Sequence, residues 1–234
     1  MQLVTRNSVT QEVLLEGGLS RDGALRPGKI GLLDYALGAA RDPEIRAKMY
    51  GVPVGINYDR VLEDRTLLRE LETKAERPVS SRGTQLHEVA SYLLSNMGRL
   101  VTGRWERYDE MLARIGAIIP VTSVPLTCAA IQSFETEYIA WHQLLERMEA
   151  MRDVLIDLNG RVVRADRNIE ETFDRAYRML RLRRIVARAG DGYVVLPRGR
   201  PLVNYYANSI VHLLAPFAAG VRAWDALPAY DLHE

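Results

Sequence analysis

A glycine-rich turn near the start of the chain is the feature that most constrains its fold. It reads Glu16-Gly17-Gly18-Leu19-Ser20-Arg21-Asp22-Gly23, and a short apolar run ending at Leu15 comes directly before it. A strand that turns through glycines into a helix leaves backbone N–H groups available to an anion. Arg21 adds a planar, permanently charged donor that suits a phosphate group. The pattern therefore predicts a strand over 11–15 and a phosphate-binding turn, although such turns also occur without a ligand.

Two further blocks follow the turn in a definite order. The first is Val52-Pro53-Val54-Gly55-Ile56-Asn57-Tyr58-Asp59-Arg60-Val61, and the second is Tyr205-Tyr206-Ala207-Asn208-Ser209-Ile210-Val211-His212. Together with the turn they resemble sequence blocks of the bacterial membrane-bound glycerol-3-phosphate acyltransferases, a phospholipid/glycerol acyltransferase family. Pro120-Val121-Thr122-Ser123 fits the middle of the same family. The resemblance covers nearly the whole chain.

The resemblance implies a reaction and a set of substrate contacts. The reaction is transfer of a fatty acyl group from acyl-CoA or acyl-ACP to the sn-1 hydroxyl of glycerol-3-phosphate, in phospholipid biosynthesis. The substrate hydroxyl would attack directly with help from a general base, without a metal or a cofactor beyond the acyl thioester. Many relatives carry an arginine where this chain has Leu19, so one expected cation is missing. The implied substrate contacts are Glu16, Gly17, Gly18, Ser20, Arg21, Lys29 and Pro53.

The family's His-x4-Asp block, which supplies the general base, has no counterpart in this chain. The residues five positions after the first three histidines are Tyr92, Arg147 and Phe217, and His233 is one residue from the end. We therefore expect the chain to begin inside the catalytic domain, to hold no catalytic residue of its own and to be inactive alone. A separate chain with the N-terminal half is then an implied partner.

Two alternative functions stay open at this point. One is a non-catalytic, membrane-associated or substrate-binding module that keeps the acyltransferase blocks. The other is an acyltransferase that acts on another phosphorylated alcohol, such as lysophosphatidate. The glutamate-glycine block alone does not distinguish the acceptors, whereas the Tyr-Tyr-x-Asn block favours glycerol-3-phosphate. In either case the resemblance implies a peripheral location at the cytoplasmic face of the inner membrane.

Hydrophobic periodicity predicts an α/β fold in two parts. Residues 1–105 are expected to form an α/β part, which the resemblance implies is the C-terminal portion of an acyltransferase domain without its His-x4-Asp block. Residues 106–234 are expected to form a mainly helical, winged-helix-like domain with a β-hairpin over 184–196. Asn168 is expected to cap a helix of the second part. The first part should contain helices at 29–49 (broken at Pro43), 60–76 and 84–97, strands at 51–58 and 98–105, and a linker at 77–83.

Charge and composition exclude some classes of partner. The net charge of +1 gives no general attraction to nucleic acid. The stretches 115–134 and 201–221 lack charged residues, but their prolines and polar groups argue against membrane-spanning helices, so a peripheral attachment through the second is expected. The single cysteine, Cys128, has apolar neighbours and is expected to be a buried, unreactive thiol.

Three groups of polar residues have competing interpretations. Six arginines lie close together between positions 175 and 188. For this arginine cluster, a solvated helix face is favoured over binding of anionic lipid head groups, and nucleic-acid binding is the least favoured. His212 is more typical of a packing residue than of a catalyst. Tyr205, Tyr206 and Asn208 are expected to dock the last helix rather than to touch substrate. The cluster comprises Arg175, Arg178, Arg181, Arg183, Arg184 and Arg188.

Overall fold

The computed structural model describes residues 2–16, 20–26, 28–29, 31–61, 63–75, 111 and 113–225. The chain divides into two units. The first unit comprises Met1–Ser20, Arg26–Val54 and Arg69–Ile115. The second comprises Arg21–Leu25, Gly55–Leu68 and Gly116–Glu234. The predicted linker at 77–83, helix at 84–97 and strand at 98–105 lie outside the described residues.

Short helices make up the described part of the first unit. They are α1 (Gln2–Arg6), α2 (Gly31–Gly38), a 3₁₀ turn (Ala39–Arg41) and α3 (Pro43–Lys48), and the later turns of α4 (Asp64–Ala75) follow. Asp42 separates α2 from α3, because its side chain accepts a hydrogen bond from the Glu44 N–H at 3.0 Å. Pro43 then occupies the first position of α3, where its missing N–H costs nothing. The helical character predicted over 29–49 is therefore present between Gly31 and Lys48, and the break lies at Asp42, directly before Pro43.

The predictions of strands at 11–15 and 51–58 are wrong. Neither segment pairs with another strand among the described residues, and both run as irregular or extended chain. Leu14 is 70% exposed, and Val52 and Ile56 are 78% and 58% exposed. A strand is stable only when its backbone groups pair with a neighbour and its apolar face is covered. Both segments have the apolar residues that are typical of strands, but no described strand pairs with either of them.

The second unit is built around one fully buried helix. This helix, α5 (Ser123–Gln132), is buried at every position from Val124 to Ile131. A helix that is apolar on all sides needs neighbours on all sides, and α5 packs against three others. These are α6 (Trp141–Asp157), α7 (Ile169–Leu182) and the long α8 (Arg200–Asp225).

The amphipathic helix α7 shows how local sequence positions these elements. The Asn168 side chain accepts a hydrogen bond from the Glu170 N–H at 3.1 Å and so caps the helix, as predicted. One face buries Phe173 and Leu180 completely, while the arginines on the other face remain exposed. The ring of Phe173 contacts Trp141 edge-on and stacks on Tyr177, with centroid distances of 4.8 and 5.6 Å.

A small antiparallel sheet closes one side of this core. Its strand order is β1 (Tyr138–Ala140), β3 (Gly192–Val195), β2 (Val186–Ala189), and the β2–β3 hairpin lies inside the range 184–196. Gly190 forms the turn at φ +58°, a conformation that favours glycine. At Gly192 a Cβ atom would lie 2.3 Å from the Ile139 carbonyl oxygen, so the close pairing of β1 and β3 requires glycine there. Helices with a small sheet agree with the α/β class; the winged-helix-like assignment stays a prediction.

Two further expectations concern burial. Cys128 is fully buried, and desolvation raises the pKa of its thiol, which keeps it protonated and unreactive. No helix within the described residues combines the length and the hydrophobicity that crossing a bilayer requires.

Candidate functional site

The Tyr-Tyr-x-Asn-x-x-x-His block lies on the first half of α8, which faces the interior of the second unit. Tyr205 and Tyr206 are 7% and 1% exposed, so both rings are buried. Buried hydroxyl and amide groups need hydrogen-bond partners. The Tyr206 hydroxyl, the Asn208 amide and the His212 Nε2 group find them on segments that are more than 90 residues away in sequence, and the Asp22 carbonyl oxygen is one of these partners.

Asn208 and Tyr205 hold the end of the glycine-rich turn. The Asn208 Nδ2 group donates to the Asp22 carbonyl oxygen at 2.8 Å. Gly23 follows at φ +83°, and a Cβ atom there would lie 1.8 Å from the Tyr205 carbonyl oxygen. Only glycine allows this approach. The turn that follows Arg21 is therefore seated directly on the backbone of α8.

The block at 52–61 is anchored to the same unit by its second half. The Asn57 Nδ2 group donates to the Pro120 carbonyl oxygen at 3.0 Å and to Ser209 Oγ on α8 at 3.4 Å. Two residues on, Asp59 Oδ1 accepts a hydrogen bond from the Val124 N–H at 3.2 Å. A carboxylate at this position satisfies an N–H group of the first turn of α5 and complements its dipole.

A buried ion pair between Asp64 at the start of α4 and Arg183 at the end of α7 lies beside Tyr206 of α8. Asp64 is completely buried, and its carboxylate accepts hydrogen bonds from the Arg183 guanidinium and from the Tyr206 hydroxyl, the latter at 2.6 Å. Arg183 also donates to the Val61 carbonyl oxygen at 3.0 Å, and the Val61 N–H donates to the Tyr206 hydroxyl at 3.2 Å. Burial, and then the hydrogen bond to Asp64, raise the pKa of Tyr206. Because every charge has a partner, the low-dielectric interior tolerates the pair.

The arginine cluster was expected to lie on a solvated helix face, and this ion pair shows that the expectation is wrong for Arg183. Only 11% of the Arg183 side chain is exposed. It ends α7 and turns inward toward a carboxylate 119 positions earlier in the sequence. Sequence reasoning missed this pair, because neither residue carries a local signal of its partner. The cluster members on either side of it, Arg181 and Arg184, are exposed.

His212 occupies a packing position one turn further along α8. Its Nε2 group lies 3.0 Å from the Gly116 carbonyl oxygen, and a Cβ atom on Gly116 would lie 3.3 Å from the imidazole ring. Donation to that carbonyl places the proton on Nε2. Nδ1 is buried and has no hydrogen-bond partner among the described residues. The contacts support the packing interpretation over a catalytic one.

Comparison with known proteins identifies the family. Residues 109–226, half of the chain, match the family described as the glycerol-3-phosphate acyltransferase C-terminal region. The chain belongs to this acyltransferase family. It is 26% identical over 240 aligned positions to "Glycerol-3-phosphate acyltransferase" of Actinobacillus succinogenes, and 24% identical to the protein of the same name in Pasteurella multocida. The alignments cover 87% and 86% of this chain but 29% of each relative, so the chain spans less than a third of their length.

The substrate contacts implied for this acyltransferase family are distributed between the two units. Glu16, Ser20, Lys29 and Pro53 belong to the first unit, Arg21 belongs to the second, and Gly17 and Gly18 lie outside the described residues. The Glu16 Oε2 atom accepts a hydrogen bond from the Arg26 N–H at 3.3 Å. Pro53 is exposed. The role of these residues in substrate binding stays a prediction.

A cavity of about 620 Å³ lies within the second unit, beside the start of α5. It is lined by Asp59, by Thr122 and Ser123, and by residues of α7 and of the loop before it. This size suits a small organic ligand. Among the described residues, no three His, Cys, Asp or Glu side chains are arranged to hold a metal ion.

Proposed function

We propose that this chain takes part in the transfer of a fatty acyl group from acyl-CoA or acyl-ACP to the sn-1 hydroxyl of glycerol-3-phosphate. The observation that carries the proposal is the seating of two acyltransferase blocks on one helix. Asn208 of α8 holds the 22–23 turn, and Ser209 and Tyr206 hold the segment from Asn57 to Asp64. The similarity to two proteins named glycerol-3-phosphate acyltransferase supports acyl transfer to this acceptor.

In this proposal the glycine-rich block binds the phosphorylated acceptor. The Arg21 guanidinium pairs with the phosphate, because its planar fork matches two phosphate oxygens. The Glu16 carboxylate accepts hydrogen bonds from acceptor hydroxyls, Ser20 donates to the phosphate, and Lys29 adds a second cation. Pro53 shapes the floor of the site. The acceptor hydroxyl attacks the thioester carbonyl directly, and the thiol of the donor is the leaving group.

The general base comes from outside this chain in our proposal. No histidine here has an aspartate five positions later, so a segment or a separate chain with the His-x4-Asp block would remove the proton from the acceptor hydroxyl. The complete enzyme would act at the cytoplasmic face of the inner membrane as a peripheral protein. We expect no metal and no nucleic acid in its reaction.

Calorimetric titration of the chain with glycerol-3-phosphate tests the acceptor site. We expect measurable binding, and Arg21→Gln should weaken it roughly tenfold because a charged, bidentate hydrogen bond is lost. Arg46→Gln, on the exposed face of α3, is the matched control and should leave the affinity unchanged. Equal weakening by the two variants would contradict a specific role for Arg21.

An acyl-transfer assay tests the proposal that this chain lacks its own general base. The pure chain should produce no lysophosphatidate from glycerol-3-phosphate and acyl-CoA. Addition of a polypeptide with the His-x4-Asp half should restore turnover. Turnover by the pure chain would show that our assignment of the base is wrong.

The missing His-x4-Asp spacing also favours a second candidate, a non-catalytic module that binds glycerol-3-phosphate or a membrane surface. This candidate predicts binding without turnover even when the other half is supplied. An acceptor other than glycerol-3-phosphate, such as lysophosphatidate, would be recognised by tighter binding in the same titration.

A further inference from the structure

The cavity beside α5 carries a separate set of cationic groups. It lies entirely within the second unit, and its walls come from the start of α5, the loop at 158–168 and one face of α7. The arginines that line it are Arg164 and Arg167 in the loop and Arg175 and Arg178 on α7. None of them belongs to the implied contacts for glycerol-3-phosphate. The cavity therefore requires an explanation of its own.

The same walls hold three carboxylates against the four arginines, so the charged side chains of the lining have one more positive than negative charge. Asp59 is engaged with the Val124 N–H, and Glu171 forms an ion pair with Arg167 at 3.6 Å. Asp174 is the third acidic residue of the lining. Within the described residues, Arg164, Arg175 and Arg178 form no ion pair or hydrogen bond through their guanidinium groups. Three guanidinium groups without a partner among the described residues therefore line the cavity, and the arginines there outnumber the carboxylates by one.

Two hydroxyl groups at the start of α5 are also unpaired. The Thr122 and Ser123 hydroxyl oxygens are buried and have no partner among the described residues, and Thr122 does not use its side chain to cap the helix. Buried hydroxyls without partners are costly. Rotation about χ1 would present either hydroxyl to a ligand in the cavity that both residues line.

We propose that this cavity binds a phosphate ester. Guanidinium groups pair with phosphate oxygens through two parallel hydrogen bonds, and hydroxyl donors complete such sites. Arg175 and Arg178 are three positions apart on α7, so their side chains leave the helix on the same side. The cavity volume accommodates a nucleotide-sized ligand as well as a lipid phosphate head group. The same chemistry therefore has two sources, a soluble ester or a lipid.

Titration of the purified chain distinguishes these sources. The soluble probes are CoA, 3′,5′-ADP and inorganic phosphate, and the lipid probes are phosphatidylcholine vesicles with and without phosphatidate. The test variant is Arg175→Gln/Arg178→Gln, and the matched control is Arg181→Gln/Arg184→Gln, which removes two exposed arginines that do not line the cavity. We expect the test variant to bind at least roughly tenfold more weakly, and the control to bind as the parent does.

Tight binding of CoA or 3′,5′-ADP supports a soluble ester, and binding of phosphatidate vesicles alone supports a head group. Absence of binding by every probe overturns the proposal, as does an equal loss in the test and control variants. Thermal unfolding of each variant should match that of the parent, because these arginines are exposed. Arg21→Gln should leave binding at the cavity unchanged, which separates this result from the fate of the proposed acyltransferase function.

Discussion

The two units of this protein differ in how far their apolar side chains are buried. In the second unit, helix α5 is buried on all sides and helices α6, α7 and α8 contribute buried faces to the same core. In the described part of the first unit, only Ala36 and Ala39 are buried, while Leu32, Tyr35 and Val52 are more than half exposed. The difference shows that an apolar pattern produces a core only where complementary elements are present to cover it.

The buried ion pair offers the largest test of the second unit. Asp64→Ala would leave the Arg183 guanidinium buried without its carboxylate and remove the acceptor of the Tyr206 hydroxyl. We expect a loss of about 3–5 kcal/mol in the free energy of unfolding, measured by urea denaturation. Glu63→Ala, at the exposed neighbouring position, should change it by less than about 0.5 kcal/mol. A small effect of Asp64→Ala would mean that water reaches the pair.

A matched pair of leucines compares the units directly. Leu144 is completely buried in α6 and Leu32 is 58% exposed in α2. Leu144→Ala removes buried methyl groups and leaves a cavity, so it should cost about 2–5 kcal/mol. Leu32→Ala should cost less than about 1 kcal/mol, and improved helix propensity offsets part of that. Urea denaturation measures both, and similar losses would contradict the contrast in burial.

The segment Arg21–Leu25 sharpens the comparison, because it lies between parts of the first unit in sequence but belongs to the second. Gly23→Ala would place a Cβ atom in the Tyr205 backbone at a positive φ. We expect a loss of about 1–3 kcal/mol and greater amide exchange in the turn. Gly190→Ala is the control, since Gly190 also has a positive φ but no atom within 4 Å of the added Cβ. Its loss should be the smaller.

The smallest expected effect concerns how the free energy of unfolding depends on pH above pH 10. The pKa of Tyr206 is raised above its ordinary value of 10.0, first by burial and then by its hydrogen bond to Asp64. The folded state therefore holds the phenol proton more tightly than the unfolded state does. Stability from this group is complete below pH 10 and decreases as the pH rises above it. Tyr206→Phe should have a shallower decrease above pH 10 in the free energy of unfolding; an unchanged slope would exclude this residue as its source.

Local sequence predicted several elements of the second unit correctly. Asn168 caps α7, Gly190 forms the hairpin turn, and the spacing of Phe173 and Leu180 places both in the core. The docking role of Tyr206 and Asn208 followed from their polar groups on an otherwise apolar helix. The cap, the turn and the core positions depend on interactions within a few residues or on amphipathic periodicity, which the sequence contains. The partners of Tyr206 and Asn208 lie 142 and 186 positions away, so the sequence predicted that these side chains dock but not where.

The sequence by itself thus determined the family, the cap and hairpin signals and the apolar face of α7. Only the tertiary structure decided that 11–15 and 51–58 are not strands, that Arg183 turns inward to Asp64, and that four arginines share a cavity with Thr122 and Ser123. The physical reason is the separation in sequence between the residues that interact. A cap or a turn is stabilised by neighbouring residues, whereas a strand, a buried ion pair and a cavity depend on partners that only the folded chain brings near.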